Sequence, residues 1–204
     1  MTTIVFPTLT VKPSRIEWQL LSSSLGVQSP LDLSIQQQEF IGARWGMILE
    51  YSTFTESDAN ALKAFLVKMR GGANVVELYN FERPKPQGVT ISAPTIKVVG
   101  AGQTGNTLNT NGWATGSHVK MGDFFSVNGE LKMIVTDATE SANSLTVEFE
   151  PPLRASPPDD APLDFTQPTT TMKLTEDVAR WSPVNMGKIH RAHDFVLQFV
   201  EVWR

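Results

Sequence analysis

The chain has 204 residues, 41 % hydrophobic and 19 % charged, a balance that allows one large or two smaller buried cores and excludes a disordered polyelectrolyte. No apolar run approaches the roughly 20 residues that span a bilayer, and the start, MTTIVFPTLTVKP, lacks the basic-then-apolar order of a secretory signal. A net charge of −4 without any Lys/Arg cluster argues against a general nucleic-acid binder, and the absence of cysteine removes disulfides, thiolate metal sites and thiol nucleophiles.

Taken in order, Arg15 to Leu20 alternates with the period of two expected of a half-buried strand. Ser22 to Pro30 is turn material, Leu31 to Ile35 a predicted second strand, Gln36 to Gln38 a connector, and Ala43 to Thr53 a third strand. In that third strand Trp45, Met47, Leu49 and Tyr51 share one face. The stretch Thr55 to Gly72 is the one clear helix, over about residues 55–70, because Ala59, Leu62, Phe65, Leu66 and Met69 fall on one stripe at 3.6 residues per turn. Thr55 suits the N-cap, Glu56 and Asp58 the positive end of the dipole, and Lys68 and Arg70 the negative end. Gly71 and Gly72 are expected to supply the left-handed stop. A lone helix of about four turns cannot bury its stripe, so it must lie on a sheet. Asn74 to Phe81 follows as a strand.

The texture changes at Arg83 to Gln87, RPKPQ, and again over Glu150 to Pro158 and Pro162, where prolines predict ladder-breaking connectors. Between them lie predicted strands at Ile96 to Val99, Asp123 to Val127, Glu130 to Val135 and Ser144 to Phe149. Asn128-Gly129 is a type I′ hairpin signal. Residues 95–160 hold four basic and eight acidic residues, hence all of the net charge. After Pro168, strands are expected at Thr169 to Leu174, Asp177 to Trp181 and Ala192 to Trp203. The last is apolar enough to be central in its sheet. The expected fold is therefore mostly β. Residues 1–84 and 164–204 form a discontinuous β-sandwich with one packed helix, and 85–163 form an inserted small OB-like β-barrel with proline-rich connectors.

Several motifs invite chemistry. Gly100 to Gly105 matches G-x-G-x-x-G, with Asp123 near the distance of a ribose contact, yet the sequence after it is turn material where a dinucleotide site needs a helix. His190, His193 and Asp194 suggest a metal, but a spacing of three on a strand puts the two imidazoles on opposite faces. Asp159-Asp160, among prolines, reads as linker solvation rather than an acid/base pair. Neither G-x-S-x-G nor H-E-x-x-H occurs, so no catalytic residue, cofactor site or metal site is assigned. Trp113, in a Gly/Asn-rich turn, is the candidate carbohydrate-binding residue, by stacking on a sugar ring; the competing reading is that it caps the barrel core.

Gly102-Gln103-Thr104-Gly105, Leu108-Asn109-Thr110-Asn111-Gly112, Thr115-Gly116 and Lys120-Met121-Gly122-Asp123-Phe124-Phe125, within the layout just described, resemble the barrel of phage distal tail proteins, in the short form found in siphophages. The resemblance implies a non-enzymatic virion protein at the tail tip. Its copies form a homo-oligomeric ring, expected to be a hexamer, that joins the tail tube protein to the baseplate hub protein and receptor-binding apparatus. It also implies a central channel for DNA passage and a barrel that takes host cell-surface saccharide. No specific nucleic acid, membrane insertion or cofactor is expected. The alternative function is a carbohydrate-binding module recognising host cell-surface glycan.

Overall fold

The computed structural model describes residues 1–52, 55–88, 96–184 and 192–203. In chain order come β1 (Thr3–Ile4), β2 (Arg15–Leu21), β3 (Ser24–Gln28), β4 (Ile35–Glu39), β5 (Arg44–Ser52), helix α1 (Glu56–Met69), a 3-10 turn at Gly71–Ala73 and β6 (Val75–Tyr79). Then follow β7 (Lys97–Val98), β8 (Gly105–Asn111), β9 (His118–Val119), β10 (Phe124–Val127), β11 (Glu130–Ile134), β12 (Ala138–Thr139), β13 (Ser144–Leu153) and β14 (Leu163–Asp164). The last strands are β15 (Thr169–Leu174), β16 (Ser182–Val184) and β17 (Ala192–Glu201). At 45 % strand and 9 % helix the protein is mostly β, as expected. It divides into two compact units, one of Met1–Gln19, Trp45–Glu82 and Thr169–Arg204, the other of Leu20–Arg44 and Arg83–Pro168. Residues 20–44, which the sequence reading assigns to the first unit, group with the second.

The first unit is built on a sheet ordered β1-β6-β15-β17-β5-β2, with β16 beside β17. β17 is internal, as its apolar alternation requires. Its register sets Phe195 opposite Tyr51, Leu197 opposite Leu49 and Phe199 opposite Met47, and all six are buried. A slip by one residue would turn this whole set outward, so packing fixes the pairing. Glu201 follows the same alternation into the interior. There its carboxylate accepts from Trp45 N (3.1 Å) and Thr170 Oγ1 (2.8 Å).

Helix α1 starts where its cap predicts, with Thr55 Oγ1 accepting from Asp58 N at 3.2 Å. All five residues of its apolar stripe are buried, and the Phe65 ring meets Phe6 edge-on at 5.1 Å. The stop differs from expectation: the left-handed residues are Arg70 (φ 50°) and Gly71 (φ 62°), not Gly72. Glycine is needed at 71 for a second reason. A Cβ there would lie 2.7 Å from Asp177 Cα, and Asp177 Oδ1 holds the next amide, Gly72 N, at 3.1 Å.

Asp58 in the first turn of α1 accepts from both Thr10 N (3.2 Å) and Thr10 Oγ1. The hydroxyl bond in particular holds its carboxyl below the ordinary carboxylate range. A depressed folded value contributes stability that is present above the unfolded value of about 3.9 and is lost as pH falls below it. Urea midpoints of Asp58→Asn should therefore drop less than those of the parent between about pH 7 and about pH 3. Equal drops would show that the Thr10 bonds do not favour the ionised form.

In the second unit, β14-β10-β11-β13-β8-β7 form one curved sheet. Its ends meet through Val98 N to Ala161 O (3.0 Å), Asp160 N to Val98 O (3.1 Å) and Leu163 N to Ile96 O (3.0 Å), which makes a nearly closed barrel. Asn128 (φ 51°) and Gly129 (φ 77°) turn β10 into β11 with the two positive φ angles of a type I′ turn. Leu108, Phe125, Ile134, Val147, Phe149 and Phe165 are among the buried residues of its core. Pro151 and Pro152, expected in a connector, belong instead to β13, where the register shifts between Glu148 and Leu153. A strand irregularity is where the sheet can do without the amides that proline lacks.

Residues 20–44 also depart from expectation. β3 and β4 pair as an antiparallel hairpin, Ser24 opposite Glu39 and Gln28 opposite Ile35, so the supposed turn is strand and the supposed strand Leu31 to Leu33 is turn. Short polar groups decide it. Ser29 N donates to Ser34 O (2.8 Å) and Leu33 N to Ser29 O (3.1 Å), while Asp32 Oδ1 accepts from Ser34 N (3.2 Å) and Ser34 Oγ (2.8 Å). Leu33 takes the left-handed φ of 60° that this turn needs. The alternation of Leu31, Leu33 and Ile35 imitates a strand, but none of the three is buried.

Candidate functional site

Trp113 is not a surface aromatic. It is 3 % exposed, its Nε1 donates to Thr110 Oγ1 at 2.7 Å, and Thr110 in turn donates to Leu145 O at 2.6 Å. The Phe165 ring meets the indole at 5.4 Å and 67°. With its ring inside the barrel core and its N–H satisfied, Trp113 has no face to offer a sugar. This corrects its reading as the carbohydrate-binding residue: Gly112, at φ 86°, lies at the end of β8, and the indole after it packs inward.

Gly100 to Gly105 is the connection between β7 and β8, antiparallel neighbours with Lys97 opposite Asn111. No helix follows it. Gln103 ties the loop down, its Nε2 donating to Val99 O (2.8 Å) and Gly100 O (3.2 Å) and its Oε1 accepting from Asn109 N (2.7 Å). Asp123, fully buried, accepts from Gln87 N (2.7 Å), Gly88 N (3.3 Å) and Lys120 N (3.0 Å), so it is a loop anchor rather than a ribose ligand. Asp159 Oδ1 accepts from Gly100 N at 2.7 Å. Its neighbour Asp160 faces Lys97 at 3.8 Å in a solvent-exposed pair of little energetic weight.

His190 lies outside the described residues. His193 is in β17 opposite Pro183, and Asp194 opposite Ser182 and Ser52. Among the described residues no three His, Asp or Glu side chains gather as a metal site would require.

Sequence reasoning missed a buried ionic group in the barrel. Lys132, fully buried, sets its Nζ 2.6 Å from Glu130 Oε2 and donates to Pro152 O at 2.8 Å. The Phe149 ring centroid lies 5.9 Å from the same ammonium. Glu130 also accepts from Arg154 N (3.2 Å) and Ala155 N (3.4 Å), with Arg154 Nε 3.9 Å away. Every partner is structural, and the cluster ties β11 to the end of β13. A signal was present: Glu130 and Lys132 stand two apart, on the same side of β11 as the core residue Ile134.

The surface features that remain carry exposed apolar side chains. On the β3/β4 hairpin, Leu25, Val27, Leu31, Leu33 and Ile35 are all more than half exposed, and Phe40 and Ile41 beyond β4 are exposed as well. In the first unit a groove of about 290 Å³ runs along α1, β15 and β17, lined by Leu66, Leu174, Val178, Arg180, Trp181 and Val196. Exposed apolar surface on this scale marks contact with another macromolecule more often than it marks a catalytic centre. The chain matches no protein-family model, and a search of curated proteins finds no match either.

Proposed function

We propose that this protein is a structural subunit of a phage tail tip, a distal tail protein. Its copies close into a ring, six in number, between the tail tube and the baseplate hub, around a channel for DNA. The observation that carries the reading is the way the barrel is inserted. β6 and β15 are direct neighbours in the first sheet, with Tyr79 opposite Thr169. The chain therefore leaves at one end of a ladder rung and returns at the other, having built the barrel between. That is the layout of the family which the barrel sequence resembles. The lack of any Lys/Arg cluster suits a channel through which DNA passes without sticking. Burial of Trp113 removes the residue on which the glycan-binding reading rested.

Light scattering across concentrations tests the ring. The expected result is growth from the 22.5 kDa chain toward a single closed species of about six chains. A mass that stays at one chain at every concentration reached would overturn it.

A further inference from the structure

The hairpin and the groove have the features of two halves of one contact. A two-stranded hairpin with no covered face is marginal in water, yet this one holds five apolar side chains in solvent, Leu31 at 95 % exposure. Its tip, residues 29–35, bears a single charge. That charge, Asp32, is flanked by Leu31 and Leu33, and the Ser34 amide and hydroxyl fix its carboxylate. The groove has the complementary chemistry. Its walls combine leucine, valine and tryptophan with the polar side chains of Glu176, Arg180 and Gln198, and Val178, Trp181 and Val196 are substantially exposed. Among the described lining residues Glu176 is the carboxylate and Arg180 the cation, so an entering Asp32 is repelled at the one and attracted at the other.

We propose that the β3/β4 tip of one copy docks into the α1/β15/β17 groove of the next, Leu31 and Leu33 covering the apolar walls and Asp32 pairing with Arg180. The contact is heterologous, joining different surfaces of the two copies. Repeated, it closes a ring if the rotation per copy allows and otherwise runs on as a filament. The inference rests on the ring reading only for closure.

The absence of native cysteine makes the test clean. Leu33→Cys and Val178→Cys chains are purified separately, mixed and oxidised. The expected result is a cross-linked heterodimer in about tenfold excess over a control mixture of Leu33→Cys with Met121→Cys, an exposed position on the barrel. Adding Arg180→Glu to the Val178→Cys chain should lower the yield about tenfold, because a like-charge contact replaces the pair. Yields equal to the control, or unmoved by Arg180→Glu, would overturn the docking. Outcomes for the contact and the ring separate. A closed assembly without this cross-link refutes the contact and leaves the ring, whereas cross-linked chains with no closed species support the contact and refute the ring.

Discussion

Replacing Glu130 with alanine is expected to cost the barrel about 3–5 kcal/mol, because it strands an ammonium that cannot reach water. Lys132 is fully buried, and its carboxylate partner at 2.6 Å is the group that compensates its charge. The pair also does more than balance charge. Glu130 accepts the amides of Arg154 and Ala155, and a buried amide left without an acceptor costs about 1–3 kcal/mol. The double variant Glu130→Leu with Lys132→Met should therefore recover only part of the loss. Removing both charges ends the penalty of the uncompensated ammonium, but the amides stay unserved and the Arg154 guanidinium loses its neighbouring carboxylate. Glu130→Gln, which keeps an acceptor, should fall between parent and alanine variant. Urea titrations read by hydrogen exchange at the β11 and β13 amides would measure all three. A loss below about 1 kcal/mol for Glu130→Ala would mean that the ammonium finds solvent or another acceptor.

Trp113→Ala should cost about 3–5 kcal/mol, the range for truncating a core aromatic. The indole fills space against Phe165 inside the barrel, and its N–H belongs to a chain running through Thr110 to Leu145 O. Trp113→Phe keeps much of the ring volume and loses the hydrogen bond, so about 1–2 kcal/mol is expected. Acrylamide quenching supplies an independent readout. The emission that Trp113→Phe removes should, like that of buried Trp45, be quenched less than that of exposed Trp181 and Trp203, and glycan should leave it unchanged. Strong quenching of that component would return Trp113 to the surface.

The parts of the fold that could be read in advance are those where one local rule dominates. Asn128-Gly129 demands positive φ twice, and the backbone supplies it. The stripe of α1 and the alternation of β17 each name the face that is buried. The misreadings have physical causes too. Leu31, Leu33 and Ile35 carry a strand's alternation, but Asp32 and the serines around it offer the backbone more hydrogen bonds as a turn. Trp113 sits in turn-forming sequence, and sequence alone does not show that Thr110 will take its N–H. In β11, Glu130 and Lys132 alternate onto the side of the core residue Ile134, so charge there marks an internal pair.

The insertion of the barrel has a consequence for the order in which the protein can fold during synthesis. Every strand of the barrel sheet lies within residues 97–164, so the ribosome delivers a complete barrel in one uninterrupted stretch. The first unit has no such independence. β5, β6 and α1 emerge early, but the two strands that join β5 to β6 across the sheet, β15 and β17, are made only after the barrel. Until then the apolar faces of β5 and β6 await their partners, a long-range closure of the kind that folds slowly. The barrel is thus positioned to fold first, and the sheet that carries it to fold last, around a chain whose two strand ends meet at Tyr79 and Thr169.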